Sequence, residues 1–315
     1  MINIDMKILK NSLVASFALF FTLVSLPLFG QSVREETRDE LPAFSSISLG
    51  GDFSLDIRYG KQYSAQLGVE SLMADYVLFS VMDSTLTVSL DERRVPAEVR
   101  KVFRGKDAAT PTFNLVVTMP ETLRLLHLED RSVLLSADDL VVDPDGVEIR
   151  VTDQARIASF AFGSGCVRLN MDKKGSVKMN VTCDSLHVRQ AGNSNLELTY
   201  HTQVCAFELN GSCSLAVAGE TELLKLDSKG FSKSILNGKA PVVRYKLANS
   251  SQVNATMLEA GQAFVEMAGL GTLTQAASES LTVDLSGGAT VYFLNDPVIH
   301  VLYLKNASLI PYDRK

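Results

Sequence analysis

An all-β fold, a parallel β-solenoid of about ten coils of 18–20 residues, is predicted for residues 121–315 by three observations: a repeat of about 19 residues, period-two alternation within it, and a column of small side chains beside it. The anchors are Val133, Ile157, Val177, Leu196, Leu215, Ser234, Val253, Leu273, Val291 and Leu309, spaced 24, 20, 19, 19, 19, 19, 20, 18 and 18 residues apart. Eight residues before them stand Leu125, Ile149, Leu169, Val188, Phe207, Leu226, Tyr245, Val265, Val283 and Val301. Ten before stand Leu123, Val147, Val167, Leu186, Cys205, Leu224, Val243, Ala263, Leu281 and Ile299. All twenty are apolar in a chain that is 46% apolar, which chance would give with a probability on the order of 10⁻⁷.

Between those columns the residues are mostly polar, as in Glu148 and Arg150, Arg168 and Asn170, and Lys225 and Asp227. Period-two alternation is a strand with one face buried. Two residues before the anchors run Ala155, Gly175, Ser194, Cys213, Ser232, Ser251, Gly271, Ala289 and Ala307, small enough for a tight corner. Strand, corner and strand make a coil that buries its apolar face only by stacking on the next. An α-helical solenoid is the competing fold, and frequent Val, Thr and Ser with Gly or Asn at the corners argue against it.

Ahead of the repeats, Phe44 to Leu90 reads as strands broken at Gly50-Gly51, Gly60-Lys61 and Asp83-Ser84, a meander of hairpins capping the solenoid. Residues 31–120 form this N-terminal cap, interrupted by a charged insertion over 91–111 with a short helix near Ala97 to Phe103. Residues 1–30 carry Lys7 and Lys10, an apolar run from Leu13 to Phe29, and Gly30, the order of a secretory signal peptide. An exported mature chain beginning near Gln31 or Ser32, with no membrane span after cleavage, is expected; an uncleaved anchor is the alternative. A net charge of −6 with mixed signs gives no reason to expect nucleic acid as a partner. Of four cysteines, Cys205 and Cys213 fall in inward or corner columns, while Cys166 and Cys183 lie offset on neighbouring coils, and a disulfide between them stays open.

The opening strands place Phe44, Ile47, Leu49, Gly51, Phe53, Leu55, Ile57 and Gly60 at a spacing that resembles the head GIN domain family, described as putative autotransporter adhesins, a domain of unknown function common in Bacteroidetes. The stretches FNLVVTMPETL, ending a strand at Pro120, and LSGGATVYFLNDP are similar to the same family. With the repeats, the resemblance covers nearly all of the mature chain. It implies a β-solenoid in a cell-envelope or surface setting and carries no catalytic residues. The long basic insertion and the scarcity of Gly-Ser-Gly turns depart from the family's pattern.

Two sets of residues are candidates for chemistry. Asp130, Asp153 and Asp172 lie three, four and five residues before their anchors on successive coils, and paired carboxylates about 5 to 9.5 Å apart would serve glycoside cleavage. Asp, Asn and Gly are also the residues that turn corners, and Gly192, Asn210 and Asn249 continue the same corner. Arg93, Arg94, Arg100, Lys101 and Arg104 in the insertion could grip an acidic glycan, or form a solvated loop. The four histidines do not converge, and no metal-ligand spacing, phosphate loop or nucleophile elbow is present, so neither metal nor cofactor is expected. The reading is an exported, non-enzymatic solenoid binding a surface glycan or protein; the alternative is a polysaccharide-acting enzyme built on the three aspartates.

Overall fold

The computed structural model describes residues 32–105, 108, 110–120, 122–137 and 142–312; the expected signal peptide lies outside them. The described residues form 21 strands joined in one hydrogen-bonded sheet that winds around a single apolar core, with one short α-helix, Ala97–Val102, and a single 3-10 turn, Ala74–Tyr76. From residue 123 onward every strand pairing is parallel.

The predicted columns are the observed stacking register. Ile149 pairs with Leu169, then Val188, Phe207, Leu226, Tyr245, Val265 and Val283, one above the other. Each of these is almost fully buried. The anchors Ile157, Val177, Leu196, Leu215, Ser234, Val253, Leu273 and Val291 also stack directly. At about 4.8 Å per coil, ten coils give a rod of roughly 48 Å.

One coil departs from the expected register. Leu134, not Val133, pairs with Ile157, and Leu126, not Leu125, pairs with Ile149; Leu123 bridges Val142 rather than Val147. In TLRLLHL and SVLLS both registers are apolar, so hydrophobicity cannot choose between them. The corner chooses. Ser132 is buried two residues before Leu134, and its hydroxyl donates to the carbonyls of Glu129 (2.7 Å) and Leu49 (3.3 Å).

Most coils are one long strand rather than two short ones. In Ser176–Gly192 the inward residues are Val177, Met179, Val181 and Cys183, then Leu186, Val188 and Gln190, so the alternation changes phase at Asp184-Ser185 without breaking the ladder. This second corner is lined by hydroxyls. Ser164 donates to the carbonyl of Asp143 (2.7 Å), Thr202 to that of Asp184 (3.0 Å) and Thr221 to that of Gln203 (3.0 Å), each satisfying an acceptor on the preceding turn.

Parallel stacking extends into the cap. Ser46–Leu49 and Ser54–Tyr59 lie parallel to the first repeat coil, with Leu49 beside Leu128 and Leu55 beside Leu134. Thr85–Leu90 and Phe113–Met119 lie parallel on their other side. The outermost strands reverse: Val77–Met82 pairs antiparallel with Thr85–Leu90, and Ser64–Glu70 pairs antiparallel with both Phe113–Met119 and Val33–Arg38. Of the three expected hairpin breaks only Asp83-Ser84 joins paired neighbours; Gly50-Gly51 and Gly60-Lys61 are corners between strands that pair elsewhere, and the antiparallel outer strands close this end of the stack. The insertion bridges two strands of one layer, its short helix held by Val95, which is buried, and by Val99 and Phe103 against the core.

Candidate functional site

The first corner repeats one backbone device on every coil. A residue four before the anchor turns left-handed: Gly51, Asp130, Asp153, Lys173, Gly192, Gly211, Gly230, Asn249, Gly269 and Gly287 all have φ between 48° and 122°. Only glycine, and to a lesser degree Asn and Asp, takes this conformation without penalty. From Gly51 to Asn249 the carbonyl of each accepts an N–H from the coil above, as from Gln154 to Asp130 (2.7 Å), Lys174 to Asp153 (2.7 Å) and Asn193 to Lys173 (2.6 Å). Asp130 and Asp153 are thus members of a conformational ladder, and Asp172 stands one residue ahead of it.

The structure gathers all three aspartates around one cation. The Lys173 ammonium pairs with the Asp153 carboxylate, whose other oxygen accepts from the Thr152 hydroxyl (3.4 Å). Asp172 accepts the Lys173 backbone N–H (2.6 Å), and Asp130 accepts that of Gly51 (2.8 Å). The hydrogen bond from Asp153, then its charge, with smaller contributions from Asp172 and Asp130, raises the Lys173 ammonium above its ordinary pKa. These carboxylates neutralise a lysine and cap corner amides.

The basic residues of the insertion do not converge on one another's partners. Arg93, Arg94, Arg100, Lys101 and Arg104 are exposed. Arg100 and Arg104 line a cleft of about 540 Å³ with Asp52, Glu92, Phe103 and Arg131. Arg131 forms a two-pronged pair with Asp52, both N–O distances 2.6 Å, which raises its own pKa. Positive charge at the cleft mouth therefore comes from Arg100 and Arg104.

A third region escapes the sequence reading. On the strand face formed by the polar positions between the apolar columns lies a shallow depression of about 430 Å³, bordered by Lys225, Asp227, Arg244, Lys246, Phe264 and Glu266. The Arg244 guanidinium sits 4.8 Å from the centre of the Phe264 ring. The two stack because Arg244 and Phe264 are partners on adjacent coils. A single ring under an arginine leaves no periodic signal in the sequence. The same face carries Arg189 beside Glu208 (2.9 Å) and Lys246 beside Glu266 (3.3 Å), pairs made by register alone. Exposed pairs of this kind contribute about 0–1 kcal/mol each. Among the described residues no group of three His, Cys, Asp or Glu is gathered as for a metal ion.

A family model described as "Putative auto-transporter adhesin, head GIN domain" matches residues 43–297; of the described strands, Val33–Arg38 and those of the final coil, Val298–Lys305 and Ser308–Pro311, fall outside it. The chain belongs to the head GIN domain family. Solved structures of similar fold include a putative adhesin from Parabacteroides distasonis, 11% identical with a TM-score of 0.47, covering 90% of this chain and 98% of its own. A putative lipid binding protein from the same species is 15% identical, with a TM-score of 0.45 and coverage of 89% and 97%. A putative adhesin from Parabacteroides merdae is 10% identical, with a TM-score of 0.44 and coverage of 90% and 98%. Comparison with curated proteins gives no match. No helix among the described residues of this head GIN chain is long and apolar enough to cross a membrane.

Proposed function

We propose that this head GIN protein is an exported, non-enzymatic component of the cell envelope that binds a surface polymer or protein. The observation that carries the reading is the family match over residues 43–297, a family described by adhesion. The fold supports it physically: strands stacked at about 4.8 Å present polar side chains at a fixed repeat, matched to a repetitive ligand. The depression around Arg244 and Phe264 is the proposed contact point, where an apolar ring and a guanidinium can take up an acidic or sugar-like group.

The test is one panel of polysaccharides and envelope proteins, scored for binding and for release of reducing ends. Binding without turnover, weakened at least about tenfold by Phe264→Ala with Arg244→Ala, is the expected result. Turnover abolished by Asp153→Asn would overturn the non-enzymatic reading. Surface display is tested on intact cells: protease that nicks the insertion there supports adhesion, and an insertion cleaved only after lysis refutes it.

A further inference from the structure

Among the described residues nothing covers the last coil. Strand Val298–Lys305 pairs on one side with Thr272–Ser286 and, among the described residues, with nothing on the other. Ile299 continues the interior column of Leu281, Val301 that of Val283 and Leu304 that of Leu285, yet all three are exposed. Val298 at 62% and Leu302 at 72% are more open still, and Tyr303, Ile310 and Tyr312 extend the patch. Repeat proteins stay soluble by giving the terminal unit a polar outer face, and long apolar edge strands are otherwise avoided.

The opposite end shows such protection. Its outer strand Val33–Arg38 carries Arg34, Glu35, Glu36 and Arg38, with Arg38 paired to Glu36 and Arg34 to Asp75. The other outer strand there, Val77–Met82, turns Val77, Phe79 and Val81 toward the core, and Arg38 lies 4.1 Å over the Phe79 ring. One end carries charged side chains on the strand Val33–Arg38, with Leu78 and Met82 exposed beside it, whereas the last coil is open and apolar along most of its length.

We infer that the open edge is a self-association surface, and that two copies of this chain pair Val298–Lys305 antiparallel across a two-fold axis between Val301 and Leu302. That register uses the whole strand and keeps the faces in phase on either side of Leu302, the extra residue of a bulge, which meets Val301 across the axis. Ile299 meets Leu304 of the other copy, both on the interior side; His300 meets Tyr303; and Lys305 meets Val298, so no like charges oppose one another. Two interior cores become one continuous core. The eight exposed apolar side chains from Val298 to Tyr312 amount to roughly 700 Å² per copy, or about 1,400 Å² in the pair, within the range of stable specific interfaces. An isologous contact of this kind closes on itself and yields a dimer rather than a fibre. The strand Ser308–Pro311 contributes apolar contact and fewer hydrogen bonds, because Pro311 has no N–H.

Sedimentation velocity on the purified protein should give a dimer at about 10 µM. Leu302→Lys, at an outward position, should weaken dimerisation at least about 100-fold with unchanged circular dichroism and melting temperature. The pair Ile299→Cys and Leu304→Cys should oxidise to a cross-linked dimer on a non-reducing gel. A monomer at 100 µM overturns the inference, whether or not the edge then captures a lipid vesicle or an extended peptide. Open-ended polymers overturn it as well, as does a dimer that survives Leu302→Lys and fails to cross-link.

Discussion

Gly238 stacks on Gly219 with the two backbones so close that a Cβ on Gly238 would stand 1.9 Å from the Gly219 carbonyl oxygen. Gly219 in turn would meet the Tyr200 carbonyl oxygen at 2.0 Å, and φ at Gly238 is 111°. Three coils are therefore held together at a point where no side chain fits. Gly238→Ala should cost at least about 2 kcal/mol through strain and clash together, read as a lowered denaturant midpoint. Gly163→Ala is the control: its nearest contact is 3.6 Å away and its φ is not positive, so the midpoint should hardly move.

Val188 is 1% exposed between Leu169 and Phe207. A carboxylate placed there has neither water nor a partner and must bind a proton or unfold the coil. Val188→Asp should abolish soluble expression. Leu226→Ala in the same column, which leaves a cavity instead of a charge, should stay folded and lose about 2–5 kcal/mol. A Val188→Asp protein with the native melting temperature would show that the column is not a dry interior.

Asp143 is buried, accepting the backbone N–H of Asp145 at 2.9 Å and Arg124 Nε at 2.6 Å. The Asp145 amide first, then the Arg124 guanidinium, hold its carboxyl below the ordinary value against the opposing push of burial. A depressed folded pKa contributes stability that is present above the unfolded value of about 3.9 and lost as pH falls through the folded one. Asp143→Asn should therefore lower stability by about 1–3 kcal/mol at pH 7, and the gap should narrow below about pH 4. Melting curves of both proteins from pH 2.5 to 7 check the sign.

Those aliphatic columns were legible because stacked coils repeat the same environment at the same chain position. Val188, Phe207 and Leu226 announce themselves by spacing alone. The second corner did not, since three of its positions are Ser164, Thr202 and Thr221, held by hydroxyl hydrogen bonds that a hydrophobic count ignores. Parallel stacking within the cap was hidden for a different reason: the insertion separates Thr85–Leu90 from Phe113–Met119, and a period cannot be read across it. Of the candidate residues, the aspartates were found because corners are periodic, and their grouping around Lys173 depends on coordinates. The Arg244–Phe264 contact joins two residues that are unremarkable in their own segments.

All four cysteines are free thiols, and their environments differ. Burial pushes Cys183 up and drives Cys205 up to about 12, leaving on the order of one part in 10⁴ as thiolate at pH 8. Cys213 is 1% exposed in the corner column, whereas Cys166 is half-buried. Iodoacetamide at pH 8 should label Cys166 alone in the native protein and all four after unfolding. Peptide mass spectrometry that finds native labelling at Cys205 would mean the second corner opens.

Among the described residues, the insertion is a long segment with few backbone ties to the rest of the fold. Between Asp91 and Gly105 the backbone makes only local turn and helix contacts, apart from Asp91 N–H to the Tyr76 carbonyl (2.9 Å), and Arg93, Arg94, Arg100, Lys101 and Arg104 are all exposed trypsin sites. The coils carry exposed basic residues too, among them Arg189, Lys225 and Lys246, but each lies in a strand paired on both sides. A protease needs several residues of extended, unpaired backbone, which costs little in the insertion and requires unfolding of a coil elsewhere. Limited trypsinolysis should therefore cut first between Arg93 and Arg104. The two fragments should stay associated, because Thr85–Leu90 and Phe113–Met119 stack on Ser46–Leu49 and Ser54–Tyr59 whether or not the link between them is intact. Early cuts at Arg189 or Lys246 would refute that order of stability.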